Sequence, residues 1–300
     1  METAKQTVPS AEALTEAEIR FISDFIYQRS GIVLGEAKRY LIETRLRSVA
    51  RVADIPSLHN LCRQLSTHNQ QLETLVIDAL TTNETSWFRD KKPFDALQNE
   101  ILPAIHQKKG NNKVLQIWSA ACSTGQEPYG MAITLLESGL FRDWLIRIVA
   151  TDISQRVLEQ AREGRYSQLE VTRGMPIRTL IKYFSQVGEI WKIKQEVQKM
   201  VTFKEHRLQD DPTSLGTFDL VFCRNVLIYF DVETKGLIFN RLHNAMTTDG
   251  LLALGGSETT LNVTDKFEPV KIEQATFYIK KNTRNFWCER KDNNVTIVRK

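Results

Sequence analysis

The stretch from Val114 to Ala132, V-L-Q-I-W-S-A-A-C-S-T-G-Q-E-P-Y-G-M-A, constrains the fold more than any other part of the chain. Val114, Leu115, Ile117 and Trp118 form a short apolar run, the pattern of a strand covered on both faces. Small or polar residues from Ser119 to Thr124 lead to Gly125. Such residues let a ligand approach the backbone and permit a sharp reversal. A helix is expected from Glu127, with Pro128 in its first turn, where a missing N–H costs nothing, and an acidic group facing the positive helix end. Strand, tight loop and helix together open a nucleotide-type site at the carboxyl end of a parallel sheet, although the segment alone also reads as an ordinary βα turn.

A second buried strand, Ile146 to Asp152, ends in a carboxylate. In dinucleotide folds an acidic residue at this place accepts from both ribose hydroxyls. The G-x-G-x-x-G pattern that seats a pyrophosphate is absent, and Gly125 is the single glycine of the first turn. A ligand with a ribose and no pyrophosphate fits better, and S-adenosylmethionine is the commonest of that kind.

The 300 residues suffice for one large domain or two unequal ones. A net charge of +4 demands no nucleic-acid partner. Cys62, Cys122, Cys223 and Cys288 form no C-x-x-C pair, which argues against a zinc site or disulfide framework and fits a reducing cytoplasm. The N-terminus lacks the apolar core of a signal peptide, and no apolar run approaches membrane-spanning length. A cytoplasmic protein with no direct membrane insertion is expected.

Residues 1–13 read as a polar arm, and 14–80 as helices only. Thr15 and Glu18 resemble a capping box; Ile19, Phe21, Ile22, Phe25 and Ile26 give a helical stripe ended by Gly31. The next helix, about Ala37 to Ala53, places Leu41, Ile42, Leu46 and Val49 on its apolar side. Its other side carries Lys38, Arg39, Arg45, Arg47 and Arg51 against Glu36 and Glu43, either a solvated face or a docking face for an acidic partner. Two further helices are expected near Ser57–Leu65 and Gln70–Leu80. Residues 81–93 join the halves, and Trp87 and Phe88 require part of that linker to pack.

After the first strands, Ser154 caps a helix that Gly164 stops. Residues 165–200 interrupt the alternation as an inserted subdomain, with a helix from Ile177 and an alternating strand at Ile190–Ile193. Val201–Phe203 and Phe218–Cys223 resume the sheet, Asp231 caps a helix to about Met246, and Gly250 precedes a strand at Leu251–Leu254. Val270–Ile272 and Thr276–Ile279 suggest a closing antiparallel pair. Residues 281–300 take no assignment.

With these segments laid out, T-T-N-E-T-S-W-F-R, W-S-A-A-C-S-T-G-Q-E-P-Y, A-T-D-I-S, F-C-R-N-V-L-I-Y-F and G-G-S-E-T, in this order, make the chain resemble the chemotaxis receptor methyltransferases (CheR family) from about Leu14 to Lys280. These are S-adenosylmethionine-dependent protein-glutamate O-methyltransferases. The resemblance implies an all-helical N-terminal domain and a class I (Rossmann-like) α/β methyltransferase domain over 94–280 with an inserted β-subdomain. It also implies that Asn83, Thr85 and Arg89 of the linker reach the cofactor, that Glu127 and Asp152 meet it, and that Arg224 and Asn225 close the pocket. Tyr229 falls beside the transferred methyl, and Arg207 and Leu208 fall on the adenine side, although the family often has Asn where Arg207 stands. Gln126 and Gly256 replace a frequent Glu and His. The insertion between Phe184 and Phe203 is a few residues shorter than in enteric members, where that loop grips a receptor C-terminal pentapeptide, so independence from such a tether is expected.

The implied chemistry needs no catalytic His, Cys or metal, because a glutamate carboxylate is already ionised at neutral pH. Arg89 is the candidate for holding the substrate carboxylate in a fixed fork, and Tyr229 for orienting it. The implied partner is the cytoplasmic helical domain of transmembrane chemoreceptors, whose acidic surface suits the Lys38–Arg51 face. Two alternatives are a methyltransferase acting on RNA or a small molecule, and a non-catalytic module that binds S-adenosylmethionine. No stripe of exposed aromatics interleaved with Arg or Lys supports base stacking.

Overall fold

The computed structural model describes residues 13–35, 38–281, 285–289 and 295–297. Residues 1–12 of the arm, Glu36 and Ala37 therefore lie outside the described residues. The chain divides into two compact units, Met1–Thr82 and Asn83–Lys300.

The first unit contains α1 (Glu16–Ser30), α2 (Arg39–Val52), α3 (Leu58–Leu65) and α4 (Gln70–Leu80). Local chemistry sets their ends. Thr15 and Glu18 form the reciprocal capping box of α1, and Gly31, at φ 72°, ends it. Ser57 and Asn69 cap α3 and α4 through the N–H groups of Asn60 and Leu72. Ile22, Ile26, Ile42, Leu46, Leu61 and Val76 fill the core. Phe21 and Phe25 are half-buried, and Leu41 departs from expectation: it is 40% exposed, on the same outer side as Tyr40 at 79%. The buried stripe of α2 runs Ile42, Leu46, Val49 and Ala50 instead.

The second unit opens with α5 (Lys92–Ala96) and α6 (Leu102–Lys108), joined by a π turn at Leu97–Ile101. Its strands are β1 (Val114–Ala120), β2 (Leu145–Asp152), β3 (Arg165–Ser167), β4 (Phe184–Val187), β5 (Ile190–Ile193), β6 (Val201–Glu205), β7 (Phe218–Cys223), β8 (Met246–Leu254), β9 (Phe267–Ile272), β10 (Ala275–Lys280) and β11 (Val295–Ile297). The large sheet runs β11-β9-β10-β8-β7-β1-β2-β6. Strands β6, β2, β1, β7 and β8 are parallel, whereas β10, β9 and β11 are antiparallel additions. This is the α/β sheet expected, and β7 is buried along its whole length, as helices on both faces require. Helices α7 (Gln126–Ser138), α8 (Gln155–Glu163) and Val232–Ala245 follow β1, β2 and β7. Ser154 caps α8 and Asp231 caps the Val232 helix, each through the N–H three residues on.

The 165–200 region forms a separate sheet, β3-β5-β4, in which Val187 pairs with Ile190 across a Gly188-Glu189 turn with Gly188 at φ 61°. One local reading is corrected, and one unassigned segment gains structure. Strand β8 starts at Met246, and Gly250 sits inside it at a register irregularity rather than before it. Within the unassigned residues 281–300, Trp287 is 2% exposed, its indole N–H donates to the Asp249 carbonyl at 2.9 Å, and Val295–Ile297 pairs with β9. Among the described residues no helix is long and apolar enough to cross a membrane.

Candidate functional site

Strand β1 sits at the switch point of the sheet, with β2 and β6 on one side and β7 and β8 on the other. Open parallel sheets bind ligands outside the carboxyl ends of strands at this place. The loop leaving β1 is strained: Ala121, Ser123 and Gly125 have φ of 59°, 50° and 93°. Left-handed backbone costs a non-glycine residue about 1 kcal/mol, so the surroundings must hold it. They do so with the Cys122 N–H donating to the Thr151 carbonyl at 2.9 Å and the Tyr166 hydroxyl donating to the Thr124 carbonyl at 2.8 Å.

Asp152, 6% exposed at the end of β2, accepts the Ser123 N–H at 2.8 Å and the Ser154 N–H at 3.0 Å, one on each oxygen. The two bonds fix the direction in which the carboxylate faces. The His206 N–H donates to the Asp152 carbonyl at 3.0 Å and brings the segment after β6 alongside. Arg207 and Leu208 follow it, but the Arg207 guanidinium grips Asp210 with two bonds, at 2.9 and 2.7 Å, and Leu208 is buried.

The linker is built into the second unit. Trp87, 1% exposed, packs edge-on against Tyr166 and Phe184 with ring centroids 5.0 and 5.3 Å apart. Its backbone N–H donates to the Arg173 carbonyl at 3.0 Å. A side chain at Gly174, φ 98°, would place Cβ 2.1 Å from the Trp87 carbonyl oxygen, so glycine is required there. The Ser123 hydroxyl donates to the Asn83 carbonyl at 2.7 Å, which ties the start of the linker to the β1 loop. Thr85 and Arg89 are half-buried, and Arg89 donates to the Glu84 carbonyl at 3.1 Å. Arg89 also lines a cavity of about 720 Å³ with Trp87, Phe88, Phe94, Ile133 and Pro176. Asp152 and Asn225 do not line it.

Arg224 joins these parts. Its side chain is 2% exposed and donates to Glu127 at 3.0 Å, to Asp90 at 2.9 Å and to the Arg89 carbonyl at 2.7 Å. Glu127 in turn accepts the Ser119 hydroxyl at 2.8 Å. Asn225 follows in the left-handed region at φ 59°, and Tyr229, half-buried, ends the 3-10 turn Leu227–Tyr229. Asn83 and Asp152 thus meet at Ser123, Glu127 and Arg224 pair with each other, and Asn225 follows Arg224 in the chain, which sets the five around the ends of β1, β2 and β7. Sequence reasoning missed Glu258, which is buried beside this set and accepts the Asn225 N–H at 2.7 Å. The G-G-S-E-T motif was its signal.

The buried thiols have no part in acid–base work. Burial, reinforced by Asp152 and Glu127 near Cys122 and by Glu258 and Glu127 near Cys223, pushes both well above the ordinary range, so neither is a thiolate at neutral pH. Among the described residues no group of three or more His, Cys, Asp or Glu could hold a metal ion.

The basic face of α2 is largely committed within the first unit. Arg45 donates to the carbonyls of Ala79, Leu80 and Thr81 at 3.2, 3.2 and 3.0 Å, closing the end of α4. Arg39 and Arg47 both pair with Glu43, which is 7% exposed. Lys38 and Arg51 are exposed.

Comparison with known proteins agrees with this architecture. Residues 83–276 match the profile described as "CheR methyltransferase, SAM binding domain", and residues 17–81 match "CheR methyltransferase, all-alpha domain". The chain belongs to the CheR methyltransferase family. A chemotaxis protein methyltransferase of Vibrio parahaemolyticus is 38% identical over 274 residues, covering 90% of this chain and 98% of that protein. Chemotaxis protein methyltransferase 1 of Pseudomonas aeruginosa is 38% identical, covering 87% and 97%. The Salmonella typhimurium chemotaxis protein methyltransferase is 35% identical, covering 85% and 88%. In this CheR-family chain the strand-end carboxylate, the small-residue loop and the switch-point position fit a ribose-bearing, pyrophosphate-free cofactor, in agreement with the S-adenosylmethionine-binding description of its matched domain.

Proposed function

We propose that this CheR-family protein works in chemotaxis, methylating glutamate side chains on the cytoplasmic helices of transmembrane chemoreceptors to give methyl esters and S-adenosylhomocysteine. The observation that carries the reading is the clasp of Arg224 on Glu127, Asp90 and the Arg89 carbonyl, which fixes the linker against the β1 and β7 loops.

S-adenosylmethionine supplies a methyl group already activated on a sulfonium. Asp152, buried at the end of β2, is the proposed acceptor for the ribose hydroxyls, and Asn83, Thr85, Glu127, Arg224 and Asn225 are the proposed remaining cofactor contacts; Arg207 has to leave Asp210 if it is to join them. The substrate carboxylate is ionised at neutral pH, so no residue of the chain has to take a proton from it. The protein's task is alignment and exclusion of water. Arg89 presents a guanidinium fork to the carboxylate, and the Tyr229 hydroxyl orients it. Protonated thiols at Cys122 and Cys223 suit a reaction that needs no thiolate.

On α2, Lys38 and Arg51 are exposed, as are Tyr40 and Leu41, and this mixed basic and apolar helix is the proposed docking element for an acidic receptor helix. The two-residue Gly188-Glu189 turn leaves no long loop at the tip of β4 and β5, which supports independence from a receptor pentapeptide. Immobilised receptor C-terminal pentapeptides should retain none of the protein; micromolar, sequence-specific capture would reverse that part. The reading places the protein in the cytoplasm with no nucleic-acid partner. Its test is transfer of labelled methyl from S-adenosylmethionine to chemoreceptor-containing membranes. Alkali-labile label on receptor supports it, and label resistant to alkali refutes it.

A further inference from the structure

We infer that Glu258 is a positioning residue of this site: its buried carboxylate holds the backbone that presents Asn225 and Tyr229. The inference rests on the proposed function only for what those two residues face. One carboxylate oxygen accepts the N–H groups of Gly255 and Asn225, both at 2.7 Å. The other accepts those of Val226 at 2.8 Å and Leu227 at 2.7 Å. Four donors on one side chain that is 9% exposed use every in-plane acceptor direction of a carboxylate. Glu258 is therefore saturated by the protein and has no capacity left for a ligand.

The donors converge because Asn225 is left-handed, φ 59°, so that successive N–H groups turn towards one point. Backbone concavities of this kind bind anions, and here the anion is a side chain of the same molecule. The loop passes the constraint on. The Val226 carbonyl accepts the Tyr229 N–H at 3.1 Å, so the residue clamped by Glu258 also starts the turn that carries Tyr229. Gly255 completes the arrangement. A Cβ there would lie 2.6 Å from the Glu258 oxygen, 2.7 Å from Asn225 Nδ2 and 2.8 Å from the Asn225 nitrogen. The two segments meet with no room for a methyl group.

Glu258→Gln keeps the shape but removes the charge and turns an NH2 group towards two N–H donors. The affinity for S-adenosylhomocysteine, measured by titration calorimetry, should fall about tenfold, the effect of losing one good charge-assisted hydrogen bond. In the cofactor-free protein the amide proton resonances of Gly255, Asn225, Val226 and Leu227 should all move upfield, a signature that a residue acting only through packing would not give. Gly255→Ala leaves the carboxylate in place and crowds it, and should reproduce both effects. Unchanged affinity with unmoved resonances in the two variants would overturn the inference. Both readouts are independent of any receptor, so a wild-type protein that binds S-adenosylhomocysteine yet esterifies no receptor would refute the proposed substrate and leave Glu258 in its role.

Discussion

Arg224 Nη1 lies 3.0 Å from Glu127 Oε2, joining the end of β7 to the first turn of α7 through an arginine that is 2% exposed. The same guanidinium reaches Asp90 and the Arg89 carbonyl, so one side chain gathers the linker, the strand end and the helix start. Arginine suits this because its fork donates in several fixed directions, and lysine would not replace it.

Arg224→Leu strands the Glu127 charge, which is 14% exposed, and frees the linker. Removing one partner of a buried pair costs about 3 kcal/mol. Urea unfolding should show a loss of that order, together with weaker S-adenosylhomocysteine binding. A midpoint within error of wild type would show that the clasp holds nothing.

Arg89→Ala removes the guanidinium proposed to hold the substrate carboxylate, while its backbone carbonyl, which Arg224 uses, remains. Turnover on receptor should fall about 100-fold, the scale of a lost positioning contact, with a much smaller change in cofactor affinity. Equal losses in both would mean that Arg89 serves the cofactor instead.

The α2 face separates into structural and free charges. Arg45→Glu sets a carboxylate against three carbonyls and should destabilise the protein by about 2 kcal/mol. Lys38→Glu and Arg51→Glu should leave thermal stability unchanged and raise the KM for receptor at low salt, an effect that disappears as salt screens it. No KM change at low salt would make the exposed pair ordinary solvated residues.

Burial, with a smaller contribution from Arg207, lowers the pKa of His206, opposed by Asp210 and Asp211. Its Nε2 is buried without a hydrogen-bond partner, and its ring packs edge-on to Trp118. The unfolded chain therefore takes up a proton near pH 6.5, before the folded one does. Stability from the neutral ring is complete above that pH and is lost as pH falls through the depressed folded value. The melting temperature should drop between pH 7 and pH 5, and His206→Phe should flatten the slope. His243, also depressed by burial and by Lys280, leaves a remainder.

Those features that local chemistry determines could be read from the chain. The Thr15–Glu18 capping box, the caps at Ser154 and Asp231, and the strands ending at Asp152 and Cys223 each depend on a few adjacent residues, whereas β1 runs two residues past its apolar run, to Ala120. What escaped depends on distant partners. Arg45 looks like a surface charge until α4 ends beside it, 34 residues away. Glu258 reads as a loop carboxylate until Asn225–Leu227, more than 30 residues earlier, turn their N–H groups onto it. The tail looks polar throughout, yet Asn285 and Trp287 reach the Thr248 and Asp249 carbonyls of β8. The inserted subdomain was visible as an interruption, because its strands are short and pair only with one another.

The most direct test of the central claim is mass spectrometry of receptor peptides after incubation with the protein and S-adenosylmethionine. The account predicts a single added methyl on glutamate side chains of the cytoplasmic helices, removed by mild alkali and nearly absent with Arg89→Ala. A methyl that survives alkali, or one found on lysine, asparagine or a non-receptor acceptor while the receptor stays unmodified, would contradict it.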